Sequence, residues 1–416
     1  MDMRDASLAV MFAAFTASLS GCGTSSTSAT GDWAGTIDTL TSGQVVVTNT
    51  ADPLWPAGSG WQVIEEVRIG TMDGTGPDIF GRITSIEVDA AGRVYVLEAQ
   101  SQELRVFDRD GTHVRTIGRK GGGPGEFTRA VMVKTGPDGN IWVPDPENNR
   151  VSAFDTAGTV AFSRPAPGGF IIFPWPGGFD DQGFYYGPVF VPAPDDSDQG
   201  FHIGLAQYDS ELQPVDTLFP PDEPYDLDSR RFAHQSADGS SYMAVRIPFS
   251  PIFRWRYEPD GTFWSLISGE YKIFQLTPAG DTLRTITREF EPYPVTDEEV
   301  DAALERLEWF TRQGGKVVRS RIPSKKPPTE AFFFDDEGNL WVVRVTTAED
   351  EWKVMDVFDP VGRYLGEVRL PFRLSNERPV VRGADFWAVT TDEFDVPYVV
   401  RARIVKAGDA VSPTMQ

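Results

Sequence analysis

The chain has 416 residues with 61 acidic and 38 basic side chains, and its formal charge of −23 works against binding to nucleic acid or to anionic lipid heads. A single cysteine excludes an internal disulfide and any metal site built on cysteines, and three histidines leave little for a histidine centre. An aromatic content of 12%, with 40 Gly and 32 Pro, suits strands joined by tight turns.

Leu8 to Leu19 reads LAVMFAAFTASL. This apolar run is too short to cross a bilayer, which takes about 20 residues, and fits the apolar region of a secretory signal. Leu19-Ser20-Gly21-Cys22 follows and resembles the lipobox of bacterial lipoproteins. The resemblance implies a signal peptide over 1–21 and lipid attachment at Cys22. The leader departs from the usual pattern because Asp2 and Asp5 outnumber Arg4. Residues 22–43, rich in Ser, Thr and Gly, read as a flexible tether. The expected location is the cell envelope, lipid-anchored and facing the periplasm or at the outer membrane, with the lipid as the only membrane attachment.

Residues 44–416 carry an internal repeat. Gly92-Arg93-Val94-Tyr95-Val96 with Arg105-Val106-Phe107 recurs 47 positions later as Gly139-Asn140-Ile141-Trp142-Val143 with Arg150-Val151-Ser152-Ala153-Phe154. The template runs from a Gly through fifteen residues to a Phe or equivalent, then four more to a second Gly. It returns at Gly261, Leu276 and Gly280, and with extra residues at Gly338, Phe358 and Gly362. Looser copies begin at Gly183 and Gly383. Strand-rich repeats of this length specify a propeller or solenoid. Six copies predict an all-β, six-bladed β-propeller. The last copy lacks an outer strand, and residues 61–69 alternate as one, so the amino-terminal strand is expected to close the ring and remove its free edges.

One segment, about 292–328, reads as a short helical insertion. Thr296 and Glu299 form a capping-box pattern, an apolar stripe follows at Val300, Leu304 and Leu307, and Gly314-Gly315 ends it. It serves either as a packed cap or as a lid over a ligand.

Gly123-Pro124-Gly125-Glu126-Phe127, Pro137 to Asp145 and Asn149-Arg150-Val151 resemble NHL repeats. The whole chain is similar to six-bladed propeller lipoproteins of environmental bacteria. Propellers of the NHL kind include protein-interaction modules, RNA-binding modules and a zinc lyase, so the resemblance implies a fold and no single activity. The lyase chemistry needs histidines spaced around the channel, and His113, His202 and His234 do not supply them. Asp89, Asp138, Asp260 and Asp336 stand beside the repeat glycines and read as turn residues.

Ten residues before each repeat Gly stand Arg82, Arg129, Phe173, Pro251, Pro328 and Arg373. These positions fall where the innermost strands begin, at one end of the axial channel. Arg82, Arg129 and Arg373, joined by Arg254 and Trp255, are candidate binders of a carboxylate or phosphate. The alternative is that they pair with acids of neighbouring blades. The expected function is a binding or scaffold module for a protein, a glycan or a small anionic ligand, with no cofactor, no metal ligands and no nucleic acid. The alternative is a hydrolase or lactonase holding Ca2+ in the channel.

Overall fold

The computed structural model describes residues 33–165, 178–192, 201–226, 228–347 and 353–407. The expected signal peptide, Cys22 and the tether as far as residue 32 lie outside them, as does Phe173.

Six antiparallel sheets follow the repeat. Blade one is Ile83–Val88, Val94–Glu98, Glu103–Phe107 and His113–Ile117, paired in that order. Blades two to five begin with inner strands Lys134–Thr135, Gly178–Phe179, Phe253–Tyr257 and Thr329–Phe334. Blade six takes Val380–Arg382, Asp385–Thr391 and Pro397–Val405 from the carboxyl end. Its fourth strand is β3 (Gln62–Ile69), which runs antiparallel to Pro397–Val405 with Ile69 opposite Val399. The ring therefore closes as the alternation of residues 61–69 predicts.

Every neighbouring pair of blades shares an apolar core, because a lone blade leaves both faces uncovered. Ile69, Val94 and Trp387 lie between blades six and one, and Tyr95, Leu104, Phe127 and Val143 between one and two. Trp142, Tyr185 and Tyr208 fill the next interface. The interface of blades three and four is thin, with Tyr186, Leu205 and Phe263 as its buried members. Trp264, Ile286 and Tyr364 join blades four and five, and Trp341, Met355 and Phe386 join five and six. A buried ion cluster also lies between four and five. Asp356, fully buried, stands 3.1 Å from Arg288 and 3.5 Å from Arg344, and accepts hydrogen bonds from the Tyr271 and Tyr364 hydroxyls.

The second template glycine appears as Gly111, Gly158, Gly280 and Gly362, all at positive φ. In blade three the position holds Leu212, also left-handed at φ 58°. That conformation costs a side chain about 1 kcal/mol, and the burial of Leu212 between blades two and three offsets it.

Two elements escape the repeat. Strands β1 (Thr36–Thr39) and β2 (Val45–Asn49) form a hairpin, and β2 pairs in parallel with Thr282–Arg288, the outer strand of blade four. The expected tether over 22–43 thus ends earlier, since its residues 36–39 are a strand. All four are exposed, so no apolar alternation marks them; pairing alone makes the strand. The second element is a hairpin of Arg231–Gln235 and Tyr242–Arg246 between blades three and four.

That hairpin packs against the helical insertion. Asp297–Glu305 is a helix with both hydrogen bonds of the capping box: Glu299 N–H to Thr296 Oγ1 at 3.2 Å, and Thr296 N–H to Glu299 Oε2 at 3.1 Å. Phe310 from the short following helix Glu308–Arg312 joins Phe232 and Ile247 in a separate small core. The basic run after it is consumed locally: Arg319 pairs with Asp297 and Asp301, Lys325 with Glu291, and Lys326 with Glu299. The insertion is a packed cap joined to a second insertion. Both belong to connections from an outer strand to the next inner strand, on the face where inner strands begin. We call this the lower face; inner strands end on the upper face.

Candidate functional site

Arg82, Arg129 and Arg373 precede the inner strands of blades one, two and six, on the lower face, and all three are exposed. Two of their backbones are tied to the next strand: Glu98 Oε1 accepts the Arg82 N–H at 2.8 Å and Asp145 Oδ1 the Arg129 N–H at 2.9 Å. Among the described residues none of the three has a carboxylate within ion-pairing distance. Glu377, close enough to Arg82 to feel its charge, is held by burial up to about 7, with the Arg82 charge pulling it down.

Arg254 is also exposed near the lower end of blade four. Trp255 is not beside it. Successive residues of a strand face opposite sides, and Trp255 turns into the interface of blades three and four, against Phe263 at 5.8 Å between ring centroids. It offers Arg254 no stacking surface.

Arg256 shares the side of Arg254 and reaches deeper. Its Nε donates to the Phe332 carbonyl at 2.8 Å. Burial, then repulsion from Arg378, pull its guanidinium down to about 9, and Glu258 works in the other direction.

The cavity is at the opposite end from the predicted arginines. It opens on the upper face, holds about 710 Å³, and runs from the axis outward between blades four and five. Side chains from all six blades wall it. Glu87 of blade one, 6% exposed, is bridged by Lys134 of blade two at 3.1 Å and by Arg382 of blade six at 3.9 Å. Glu258, just past the inner strand of blade four, meets Arg378 across the channel at 3.7 Å. Phe179, Tyr186, Tyr257 and Phe334 supply aromatic walls, with the rings of Tyr186 and Tyr257 4.5 Å apart. The Tyr186 hydroxyl donates to Asp180 at 2.9 Å and accepts from Tyr257 and Gln207; burial, with the bond to the Asp180 carboxylate, raises its pKa far above the ordinary value.

The aspartates read as turn residues behave so in three of four cases. Asp89 Oδ1 accepts from Ala91 and Arg93, Asp138 Oδ1 from Asn140, and Asp260 Oδ1 from Thr262. Asp336 instead accepts the Gly383 N–H of blade six, and its neighbour Asp335 caps the turn. Among the described residues no three His, Cys, Asp or Glu side chains stand together as metal ligands. No helix there is long and apolar enough to cross a membrane.

Glu258 is the residue that sequence reasoning missed. Three positions before the repeat glycine stand Asp89, Asp180 and Asp335 in blades one, three and five, and each carboxylate closes its own turn. Blade four has Glu258 there, and its carboxylate leaves the turn for the cavity. The Asp-to-Glu departure is visible once the blades are aligned on their glycines.

Fold and cavity together define a six-bladed β-propeller with a polar, aromatic-walled pocket at one mouth of its axis. A sequence family described as 6-bladed beta-propeller matches residues 75–159, which span blade one and the first three strands of blade two. No curated protein sequence matches the chain. Among solved structures, a Bacteroides fragilis protein described as exported is similar over 87% of this chain and 100% of its own, at 12% identity and a TM-score of 0.47. A member of the duf4221 family from Bacteroides vulgatus aligns over 83% and 98%, at 10% identity and 0.43. Virginiamycin B lyase from Staphylococcus aureus, crystallised with quinupristin, aligns over 83% and 99%, at 10% and 0.40. Likenesses this distant say nothing of what the chain binds.

Proposed function

We propose that the chain is a binding module, exported and held at the cell envelope through Cys22, that takes a small polar ligand into the upper axial cavity. The observation that carries this is the convergence of Glu87, Lys134, Glu258, Arg378 and Arg382, from four separate blades, on one pocket of about 710 Å³. Small-molecule sites typically hold about 300–1,000 Å³ and combine apolar walls with a few converging polar groups. Charged groups are costly to desolvate, and here five of them gather at the wall of a pocket that leaves room for a ligand.

The anchor rests on the sequence. The apolar run of residues 8–19 precedes the lone cysteine, and a cysteine without a partner in its own chain is accounted for by a reaction that consumes it. In a bacterial host, Cys22→Ala should abolish lipid labelling and release the protein from membranes.

Gly178 offers a direct test of the cavity. It lies in the cavity wall, and a Cβ added there meets nothing within 4 Å. Gly178→Trp should therefore fill the pocket while the melting temperature stays unchanged. Compounds that raise the melting temperature of the native protein in a screen of small polar molecules should fail with the variant. Hits that persist in Gly178→Trp would place binding elsewhere and overturn the reading.

A further inference from the structure

We propose that the upper axial cavity takes a neutral, hydroxyl-rich ligand the size of a short oligosaccharide, anchored by the carboxylate of Glu258. This deepens the binding role proposed for the cavity and rests on it.

The argument starts from one register position seen in several blades. Asp89 Oδ1 accepts from Ala91 and Arg93 amides at 2.9 and 3.0 Å, while its Oδ2 accepts from the Tyr95 hydroxyl at 3.2 Å. Asp180 does the same with Gln182, Phe184 and the Tyr186 hydroxyl. Asp335 does so with Glu337, Asn339 and the Trp341 indole. Each carboxylate is spent on its own turn. In blade four the extra methylene of Glu258 carries the carboxylate past the turn, and Asp260 takes over the Thr262 amide at 3.0 Å. Blades two and six have Gly136 and Val380 at this position, so blade four is the one that places there a carboxylate its turn does not use, and it does so at the wall of a cavity, where function overrides local structure.

The released carboxylate is unfinished. Glu258 is 7% exposed, and among the described residues its Oε1 has no hydrogen-bond partner. A buried acceptor left so keeps the full cost of its lost hydration. Its charge, by contrast, is already met by Arg378 at 3.7 Å from Oε2, and Arg256 stands within electrostatic range. What Oε1 lacks is a donor and not a positive charge. An ammonium group placed there would be desolvated beside two guanidiniums. A hydroxyl supplies the hydrogen and adds no charge to a compensated site.

The walls fit the rest of such a ligand. A sugar ring offers hydroxyls at its edge and a C–H face, and Phe179, Tyr186, Tyr257 and Phe334 line the same cavity as Glu258. The volume of about 710 Å³ exceeds that of a single ring.

The test is isothermal titration with three neutral trisaccharides (maltotriose, cellotriose and triacetylchitotriose), alongside spermidine and citrate. The informative variant is Glu258→Asp. It restores the side chain that caps this turn in blades one, three and five, so the melting temperature should hold or rise, yet it withdraws the carboxylate from the cavity. At least one trisaccharide should bind the native protein, and Glu258→Asp should weaken that binding tenfold or more. Binding of no trisaccharide, or equal binding by Glu258→Asp, overturns the proposal. Spermidine or citrate binding that is lost in Gly178→Trp, with no sugar bound, keeps the cavity as a site and sinks the neutral ligand alone.

Discussion

The side chain of Asn49 accepts the backbone N–H of Tyr364 at 2.7 Å, joining the amino-terminal hairpin to the outer strand of blade five. The same amide group donates to the carbonyls of Thr287 and Gly362 at 3.0 Å each, and accepts from the Trp33 indole at 3.1 Å. Asn49 is fully buried between blades four and five. Asn49→Ala strands three backbone groups, and each buried orphan costs about 1–3 kcal/mol. The variant should lose about 3 kcal/mol or more in equilibrium denaturation. A loss below about 0.5 kcal/mol would mean that the hairpin is not held in place by this residue.

Ring closure has a separate test. Ile69 is buried with Phe80, Phe107 and Trp387 at the junction of blades six and one. Ile69→Ala should cost about 2–5 kcal/mol. Val114, on the outer strand of blade one, is exposed, and Val114→Ala should stay within about 0.5 kcal/mol of the native protein. Equal denaturation midpoints for the two variants would argue against closure by β3.

Asp356 presents the reverse of a cavity. Removing it leaves Arg288 and Arg344, both nearly buried, without their shared counter-ion. Asp356→Ala should cost about 3–5 kcal/mol by chemical denaturation. Replacing all three residues by apolar side chains of similar volume should recover much of that loss, because a buried ion pair contributes little over a well-packed apolar substitute.

Glu377 makes stability depend on pH in a defined window. Burial raises its folded-state pKa from an ordinary 4.5 to about 7, against the pull of Arg82. The folded state therefore keeps this proton to higher pH than the unfolded chain, and stability falls as pH rises from about 4.5 to about 7. Glu377→Gln should flatten that slope and gain about 1 kcal/mol at neutral pH, after allowance for partial exposure. Asp385 acts with the opposite sign. Burial works against its charge, but bonds from Arg109 and Arg401 prevail and hold its pKa below the ordinary value, so its contribution is lost as pH falls through the acid range. Melting temperatures of native protein and Glu377→Gln from pH 4 to 8 would separate the two effects.

The repeat made most of the fold legible. The glycines impose turns at fixed intervals, the Phe-type residue fills the interface of adjacent blades, and both signals are local. Closure by residues 61–69 was readable because the last copy lacked an outer strand. The capping box at Thr296 and Glu299 was readable because its hydrogen bonds span only three residues. The hairpin of β1 and β2 was not, because Val45–Asn49 finds its partner some 240 positions away and Thr36–Thr39 buries nothing. For the site, spacing put Arg82, Arg129 and Arg373 where the inner strands begin, but spacing carries no information about which mouth of the channel is hollow. That depends on the size of side chains meeting from several blades. Trp255 faces away from Arg254 because successive residues of a strand point to opposite sides, and it packs against Phe263 instead.

The pairing of Ile69 with Val399 joins strands about 330 positions apart in the sequence. The ring thus stays an open arc until Pro397–Val405 has been made and has met Gln62–Ile69. A message truncated before Pro397 would yield a product with Asp385–Thr391 as a bare edge, a template for aggregation that quality-control proteases would meet first.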